Sequence, residues 1–343
     1  EGEGEGEGEG EGEGEGEGEG EGEGEVAQTV FVRKGPGTGS GTEADPYTSI
    51  GVAIDAVRGV ANEAFIVAID ISPEEFNEAL TLAPYILLRG SSDAPGTVIA
   101  PSESQVMANG NTAILAGANS GLRGLTIRIN GAAGTDYSLL TIDNVVMNVN
   151  DVILDGTGIA GVTGIRVLQA GSSGSIIEDS SILVCDVGME FFQSSALVRR
   201  TRFETIASDG VWVRAALVSK GTEAPPSPRL GDANDLVGTG QNEFESVTGA
   251  FVRNEAGNPT VVAEGNNWGA DDFAVIDAKM EGDVDFLPYR LASNATILTL
   301  TLVVEVRDLV TMDPVVDATL TFEPAILNPT VQSDAGVYTF PAI

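Results

Sequence analysis

One repeated pattern constrains the fold of this chain more than any other feature. An aliphatic residue is followed five positions later by a second large apolar residue, with small or polar residues between them. The pairs are Leu122/Ile127, Val149/Leu154, Ile177/Ile182, Val198/Phe203 and, in weaker form, Thr239/Phe244 and Ala263/Trp268. Their second members lie 27, 28, 21, 41 and 24 residues apart. Such a period predicts the coils of a β-solenoid.

A second strand pattern follows the first in four repeats. Its members are Gly164-Ile165-Arg166-Val167, Gly188-Met189-Glu190-Phe191, Gly210-Val211-Trp212-Val213 and Gly249-Ala250-Phe251-Val252. Two phased strand patterns predict parallel sheets around an aliphatic interior. Equal positions on neighbouring coils should then lie about 4.8 Å apart, which places Glu178 beside Arg199 and Asp179 beside Arg200.

The sequence also predicts how the stack of coils begins and where it is interrupted. Residues Ile50, Ala53, Ile54 and Val57 have the spacing of one helix face, and we expect this helix to cover the first coil. It is predicted to begin at Asp45-Pro46 or Thr48. The first buried strands are predicted at 65–69 and 86–88, with an acidic turn at Glu74-Glu75. The proline-rich segment 220–228 should project from a corner.

Composition excludes several classes of chemistry. Outside the Glu-Gly alternation of residues 1–25, the chain has 39 acidic and 17 basic residues, a balance of −22, which argues against nucleic acid as a partner. The absence of histidine excludes His-based triads and His-ligated zinc. The single cysteine, Cys185, lies in an apolar run and is predicted to be buried. No stretch is long and apolar enough to span a membrane.

Both ends of the repeat region resemble a known superfamily. At the entry these are Val30-Phe31-Val32, Gly39-Ser40-Gly41-Thr42, Pro46-Tyr47-Thr48-Ser49-Ile50, Ile86-Leu87-Leu88-Arg89-Gly90 and Gly96-Thr97-Val98-Ile99. At the exit they are Asn266-Asn267-Trp268-Gly269 and Gly282-Asp283-Val284-Asp285-Phe286-Leu287-Pro288-Tyr289. This order resembles the bacterial pectate-lyase-like, right-handed parallel β-helix superfamily. The resemblance implies an all-β fold with an N-terminal capping helix, and it leaves the activity open because the fold hosts lyases, hydrolases, adhesins and spacers.

We divide the chain into four segments. They are the low-complexity tract 1–25, the entry strand, cap helix and first coils 26–121, the coils and closing segment 122–290, and the C-terminal segment 291–343. The last segment has period-two strands that resemble part of an immunoglobulin-like sandwich. We predict a short, incomplete antiparallel β-segment there.

Enzymes of this superfamily that cleave acidic polysaccharide use clustered aspartates, or calcium with an Arg or Lys base. The aspartate, histidine and arginine motifs of polygalacturonases have no counterpart here. In the lyase alternative, Arg199, Arg200 or Arg202 is the base, and the calcium ligands are Asp151, Asp155, Asp179 and Glu204. Because the predicted register spreads these carboxylates along a ladder, no catalytic residue is assigned and we favour a protein that is not an enzyme.

Two further candidate sites remain beside the lyase alternative. Trp212 is a candidate carbohydrate contact because its strand can direct it outward, whereas Trp268 is predicted to point inward. A candidate Ca²⁺ site near the exit comprises Asp271, Asp272, Asp283 and Asp285, for which the alternative is a set of turn-capping aspartates.

The main functional expectation is a non-catalytic structural protein of a surface layer, extracellular fibre or adhesive stalk. Open strand edges in the C-terminal segment would pair with a second copy of the chain. The predicted assembly residues are Ile297, Leu300, Leu302, Val304, Leu320, Phe322, Tyr338 and Phe340. The alternative is a β-helix that binds or cleaves extracellular polysaccharide. Val26-Ala27-Gln28 is typical of a signal-peptide cleavage region, so we expect an extracellular or cell-surface location.

Overall fold

The fold was determined from a computed structural model, which describes residues 26–36, 38–90, 96–131, 136–215, 225–231 and 240–291. It also describes the backbone of residues 296–297, 304–305 and 337–338. The Glu-Gly tract and most of the C-terminal segment lie outside the described residues. No helix in the described part of the chain is both long and apolar enough to cross a membrane.

The secondary structure is almost entirely short strands. The helices are α1 (Ile50–Val57), α2 (Glu103–Ala108) and α3 (Phe273–Asp277). The first strands are β1 (Val26–Val32), β2 (Ile66–Ile71), β3 (Glu75–Phe76), β4 (Leu80–Thr81), β5 (Ile86–Arg89), β6 (Thr97–Ile99), β7 (Thr112–Leu115), β8 (Ser120–Arg128), β9 (Tyr137–Asp143), β10 (Met147–Asp155), β11 (Val162–Leu168), β12 (Ser175–Glu178) and β13 (Ser181–Leu183). The others are β14 (Val187–Phe192), β15 (Ala196–Arg199), β16 (Arg202–Ile206), β17 (Val211–Arg214), β18 (Glu243–Val247), β19 (Val252–Asn254), β20 (Val261–Val262), β21 (Met280–Glu281), β22 (Val284–Asp285), β23 (Tyr289–Arg290), β24 (Thr296–Ile297), β25 (Val304–Glu305) and β26 (Val337–Tyr338).

Two parallel sheets run through the coils and confirm the predicted β-helix. The first sheet has the order β1-β2-β5-β8-β10-β13-β16-β18, and the second has the order β21-β19-β17-β14-β11-β9-β7-β4. Val149 pairs with Leu122 on one side and with Ile177 on the other, as the repeat predicts. These side chains are fully buried, so each coil adds one layer to a continuous aliphatic ladder.

The stack begins earlier than the repeat, with β1 paired in parallel to β2. Two local predictions were wrong there. Glu75 lies in β3 and pairs with Val98, so the acidic turn ends one residue sooner than predicted. Helix α1 has the four predicted buried residues, but it begins after Ser49, whose hydroxyl accepts a hydrogen bond from Val52 N.

Glu78 explains the start of α1, because it binds the free amide groups of the first turn. Its carboxylate accepts from Ile50 N at 3.1 Å and from Gly51 N at 2.9 Å. A negative charge at a helix N-terminus is favourable because the unpaired amides carry partial positive charge.

The strands within a coil are separated by corners at which one residue adopts a left-handed backbone. One such corner separates β12 from β13 at Asp179, where φ is 50°. The equivalent residues on the neighbouring coils are Asp151 and Arg200, with φ of 54° and 49°. They lie on successive coils and follow the register of their strands. Because the turn recurs at the same place, it keeps the neighbouring strands in register on every coil.

Leu230 continues the ladder immediately after the proline-rich segment. Arg229 pairs with Leu197, which sets the fully buried Leu230 next to Val198. Thr239, the residue predicted for the ladder here, lies outside the described residues, and its place stays a prediction.

The last repeat of the second pattern was aligned incorrectly by two residues. Gly249 was predicted to lie beside Gly210, but Val211 pairs with Val252, which places Phe251 beside Gly210. A shift of two keeps every side chain on its own face of the strand, so the hydrophobic pattern cannot distinguish the two registers. The structure supports the second register with a fully buried Val252.

Aromatic side chains fill the interior near the exit. The rings of Phe203 and Phe244 stack with centroids 4.6 Å apart, and Phe244 stacks on Trp268 at 4.5 Å. Trp268 is fully buried, which confirms its predicted inward orientation. Cys185 is also buried, as predicted, and burial raises the pKa of its thiol to about 12.

Antiparallel pairing appears only after the coils among the described strands. Strand β23 pairs with β24, and β25 pairs with β26, both antiparallel. This confirms the predicted change from parallel coils to a short antiparallel β-segment.

Candidate functional site

Two columns of outward side chains cover one face of the second sheet, and we call this surface the aromatic face. Alternate residues of each strand point inward, such as Ile165, Met189 and Val211, and their neighbours point outward. The first outward column consists of Arg166, Glu190, Trp212, Arg253 and Glu281 in successive coils. The second consists of Leu168, Phe192, Arg214 and Glu255.

Trp212 and Phe192 are the aromatic residues of this face, and Arg214 contacts both. The Arg214 guanidinium lies 5.1 Å from the centroid of Trp212 and 5.4 Å from that of Phe192. Both rings are half-buried, whereas Arg214 is exposed. Trp212 thus points outward, as the sequence predicts, and its indole Nε1 donates to Glu255 Oε1 at 2.9 Å. This arrangement fixes the indole ring with one edge hydrogen-bonded and its body partly open to solvent.

Glu190 links the two columns. Its side chain is 7% exposed and accepts from Arg166 Nε at 2.9 Å and from Arg214 Nη1 at 2.7 Å. A buried carboxylate needs such partners, because an unpaired charge away from water is strongly destabilising. Glu190 therefore holds both guanidinium groups against the sheet and positions Arg214 beside the two rings.

Arg253 forms a second ion-pair cluster at the end of the first column. It lies 2.7 Å from Glu281 Oε2 and 3.0 Å from Asp209 Oδ2. Asp209 is 1% exposed, and burial raises the pKa of its carboxyl despite a hydrogen bond from Ala250 N. Arg253 supplies the compensating positive charge.

The three arginines of the lyase alternative belong to the first sheet, with Arg199 in β15, Arg202 in β16 and Arg200 between them. Arg199 Nε donates to Glu178 at 2.6 Å, and Arg200 Nε donates to Asp179 at 2.6 Å, which confirms the pairing predicted from the register. The hydrogen bond to Asp179 raises the pKa of Arg200, and the bond to Glu245 raises the pKa of Arg202. A raised pKa keeps the guanidinium protonated, and a protonated group cannot accept a proton, so these contacts oppose a role as catalytic base.

A groove of about 540 Å³ opens beside these arginines. Its lining residues are Arg200, Thr201, Arg202, Gln241, Glu243, Asn267 and Arg290. All of these lining residues are polar, and no aromatic residue of the described chain lines the groove. We call it the arginine groove, and its surfaces are suited to polar contact more than to ring stacking.

The candidate calcium ligands occupy separate local structures. Asp272 caps α3 by accepting from Ala274 N at 2.8 Å, and Asp283 accepts from Thr260 Oγ1 at 2.7 Å. Within the described ranges, no group of three or more Cys, Asp and Glu side chains is placed to hold a metal ion. That search includes Asp271 and Asp285. For Asp272 the contact is the turn-capping one that the sequence offers as an alternative.

The carboxylates of the lyase alternative are likewise spread over several contacts. Asp155 accepts from Thr157 N, Asp179 pairs with Arg200, and Glu204 pairs with Arg202. Asp151 lies one coil from Asp179 at the left-handed corner. The distribution along the ladder agrees with the register argument made from the sequence.

The predicted assembly residues fall where side chains are not described. Leu300, Leu302, Leu320, Phe322 and Phe340 lie outside the described residues. For Ile297, Val304 and Tyr338 only the backbone is described, and each lies in an antiparallel pair. Their role in assembly stays a prediction.

Sequence reasoning identified Trp212 but missed the residues around it. Trp212 lies on the same coil as Arg214, and Glu190 and Glu255 lie on the two adjacent coils. In the chain, Arg214, Glu190 and Glu255 are 2, 22 and 43 positions from Trp212. The available signal was the alternation Arg166, Glu190, Trp212 at the third position of the Gly-led strands. Opposite charges at equal positions of parallel strands indicate a shared outward column.

The class of protein defined by these features is a right-handed parallel β-helix with a capped entry, whose outer sheet surface presents aromatic and charged side chains. The fold is similar to that of Escherichia coli YbhC, with a TM-score of 0.46, 13% identity and coverage of 79% of this chain and 77% of the other.

Two pectin methylesterase structures are also similar in fold. One, in complex with a hexasaccharide, gives a TM-score of 0.42 and 17% identity over 69% of this chain and 78% of the other. The enzyme from Aspergillus niger gives 0.40 and 11% identity over 77% and 83%. No family model matches the sequence, and no curated protein matches it.

Proposed function

We propose that this protein binds an extracellular polysaccharide along the aromatic face and does not cleave it. The observation that carries the proposal is the line of outward side chains around Trp212, Phe192 and Arg214. Sugar rings present C–H groups that pack on aromatic rings and hydroxyls that exchange hydrogen bonds with charged groups. Half-buried rings flanked by fixed ion pairs provide both kinds of contact.

The direction of the columns favours a polymeric ligand. The columns follow the coil axis, so equivalent contacts recur about every 4.8 Å. A linear glycan laid along this axis would meet several coils in succession. Each contact is individually small, and their sum along one chain would give useful affinity.

Binding without cleavage follows from the charged groups. The chain contains no histidine, and the pKa values of Arg200 and Arg202 are raised by their carboxylate partners. Arg200 and Arg202 thus stay protonated and are not poised to accept a proton near neutral pH. Absorbance from unsaturated sugars growing in a mixture with polyuronate and calcium would contradict this part of the proposal.

The test of binding compares Trp212→Ala with the unmodified protein on a panel of soluble polysaccharides. Calorimetry should show a loss of about 2 kcal/mol, or roughly 30-fold in affinity, if Trp212 is a central contact. Phe273→Ala is the matched control, because Phe273 is an exposed aromatic residue of α3, 44% accessible, that belongs to neither column of the face. No binding by the unmodified protein, or equal binding by Trp212→Ala, would overturn the proposal.

Assembly through the C-terminal β-segment stays a separate prediction. Deleting residues 297–343 and imaging the product tests it. Filaments formed by the full chain and lost on deletion would support a surface or fibre protein. A monodisperse full-length protein would exclude polymerisation and leave the proposed binding face intact.

A further inference from the structure

The positive charges on the aromatic face are already paired with carboxylates of the protein. Its three guanidinium groups belong to Arg166, Arg214 and Arg253, and each is hydrogen-bonded to at least one carboxylate. The carboxylates in contact with the face are Asp136, Glu190, Asp209, Glu255 and Glu281. Five negative groups thus meet three positive ones, and the local balance is negative.

An acidic glycan would gain little from such a surface. A uronate or sulfate group binds best to a guanidinium with unoccupied donors in a fork geometry. Here Arg166, Arg214 and Arg253 already donate to carboxylates, and an anion that took over those donors would displace Glu190 or Glu281, of which Glu190 is almost fully buried. The displaced carboxylate would then lose its partner at considerable cost.

The whole chain adds a repulsion of longer range. Outside the Glu-Gly tract it carries a balance of −22, and at about 0.1 M salt charges act over a Debye length of roughly 10 Å. A polyanion approaching the face would meet this field along its entire length, whereas an uncharged chain would not.

Hydroxyl groups, in contrast, match what the face offers. Each ion pair has carboxylate lone pairs and N–H groups that a hydroxyl can bridge without breaking the pair. Trp212 and Phe192 provide ring surface beside these pairs. From this balance, and resting on the proposed function, we infer that the ligand class is uncharged polysaccharide and that the face discriminates against acidic glycans.

The test uses pairs of polymers that share a backbone and differ in charge. Suitable pairs are hydroxyethyl cellulose with carboxymethyl cellulose, dextran with dextran sulfate, and methyl-esterified with free polygalacturonate. For any backbone that binds, the uncharged form should bind at least tenfold more tightly at low salt. The difference should shrink when salt is raised, because screening removes the long-range part.

A pair of variants separates the local charge from that of the chain. Glu255→Gln removes one negative charge at the face and keeps an amide oxygen for the Trp212 indole, but it replaces the oxygen that accepts from Ala215 N at 2.7 Å. The ratio of the two affinities, uncharged over charged polymer, should fall about threefold in this variant. Glu245→Gln is the matched control beside the arginine groove, where Glu245 is 47% exposed and pairs with Arg202, and it should leave this ratio unchanged.

The outcomes distinguish this inference from the proposed function. Equal or tighter binding of the charged member of a pair, with Trp212→Ala weakening it, would overturn the inference and leave the binding face in place. Binding of neither member of any pair would overturn the proposed function itself. Equal effects of Glu255→Gln and Glu245→Gln would assign the discrimination to net charge and overturn the role of the face.

Discussion

Replacing Phe244 by leucine tests whether the aromatic stack near the exit stabilises the coils beyond ordinary burial. Phe244 is 1% exposed and lies between Phe203 at 4.6 Å and Trp268 at 4.5 Å. Leucine keeps most of the buried apolar surface but removes these two stacked contacts and an edge contact with Phe251 at 5.9 Å. Aromatic pairs contribute about 0.5–1.5 kcal/mol each beyond burial, so three pairs predict a loss of about 1.5–4.5 kcal/mol. Truncation to alanine should cost about 3–5 kcal/mol.

Urea unfolding followed by tryptophan fluorescence measures this loss. The signal is suitable because Trp268 is itself in the stack. Phe273→Leu is the comparison, since that ring is 44% exposed and stacks on one ring only, Phe286, at 5.7 Å, and we expect a smaller change of at most about 1.5 kcal/mol. If Phe244→Leu unfolds within about 0.5 kcal/mol of the unmodified protein, with an unchanged slope, the stacking contribution is refuted.

Four other substitutions or treatments have defined outcomes. The hydrogen bond from Arg200 lowers the pKa of Asp179, so ionised Asp179 stabilises the folded state at pH values above the carboxyl pKa of the unfolded chain. Asp179→Asn should therefore reduce the loss of unfolding free energy on acidification, measured by urea unfolding below about pH 4. Burial raises the pKa of Asp209, so stability should fall as pH rises from about 4 through that raised pKa; Asp209→Asn should flatten this decline, and an unaltered profile would contradict it. The Cys185 thiol, with its pKa raised to about 12 by burial, should react with a thiol reagent only after unfolding, and rapid native labelling would disprove its burial. Gly188→Ala would bring a Cβ within 2.4 Å of a backbone oxygen on the next coil and should lower the unfolding free energy by about 1–3 kcal/mol in the same urea assay.

Much of the fold was predictable because its signal is periodic and local. The ladder at Leu122, Val149 and Ile177 needs only that apolar residues recur at the coil period. Errors arose where the repeat period does not determine which residue takes a ladder position. A shift of two residues at Val252 leaves the pattern of buried positions unchanged, and the spacing did not predict Leu230 as a ladder residue beside Val198.

The candidate site was less predictable because it depends on contacts between coils. Trp212 could be placed outward from its own strand, but Glu255 reaches its indole from 43 positions later. Glu190 was not distinguished from an ordinary surface acid, since its burial results from Arg166 and Arg214 on the neighbouring coils closing over it. Pairwise rules along one strand do not contain that information.

The left-handed corners at Asp151, Asp179 and Arg200 recur at a constant rise along the coil axis. Each coil adds one strand spacing of about 4.8 Å to the length of the stack, whatever the number of residues in the coil. The steps from Ile182 to Phe203 and from Phe203 to Phe244 use 21 and 41 residues, yet each advances the stack by one coil. Inserted sequence therefore does not lengthen the stack of coils.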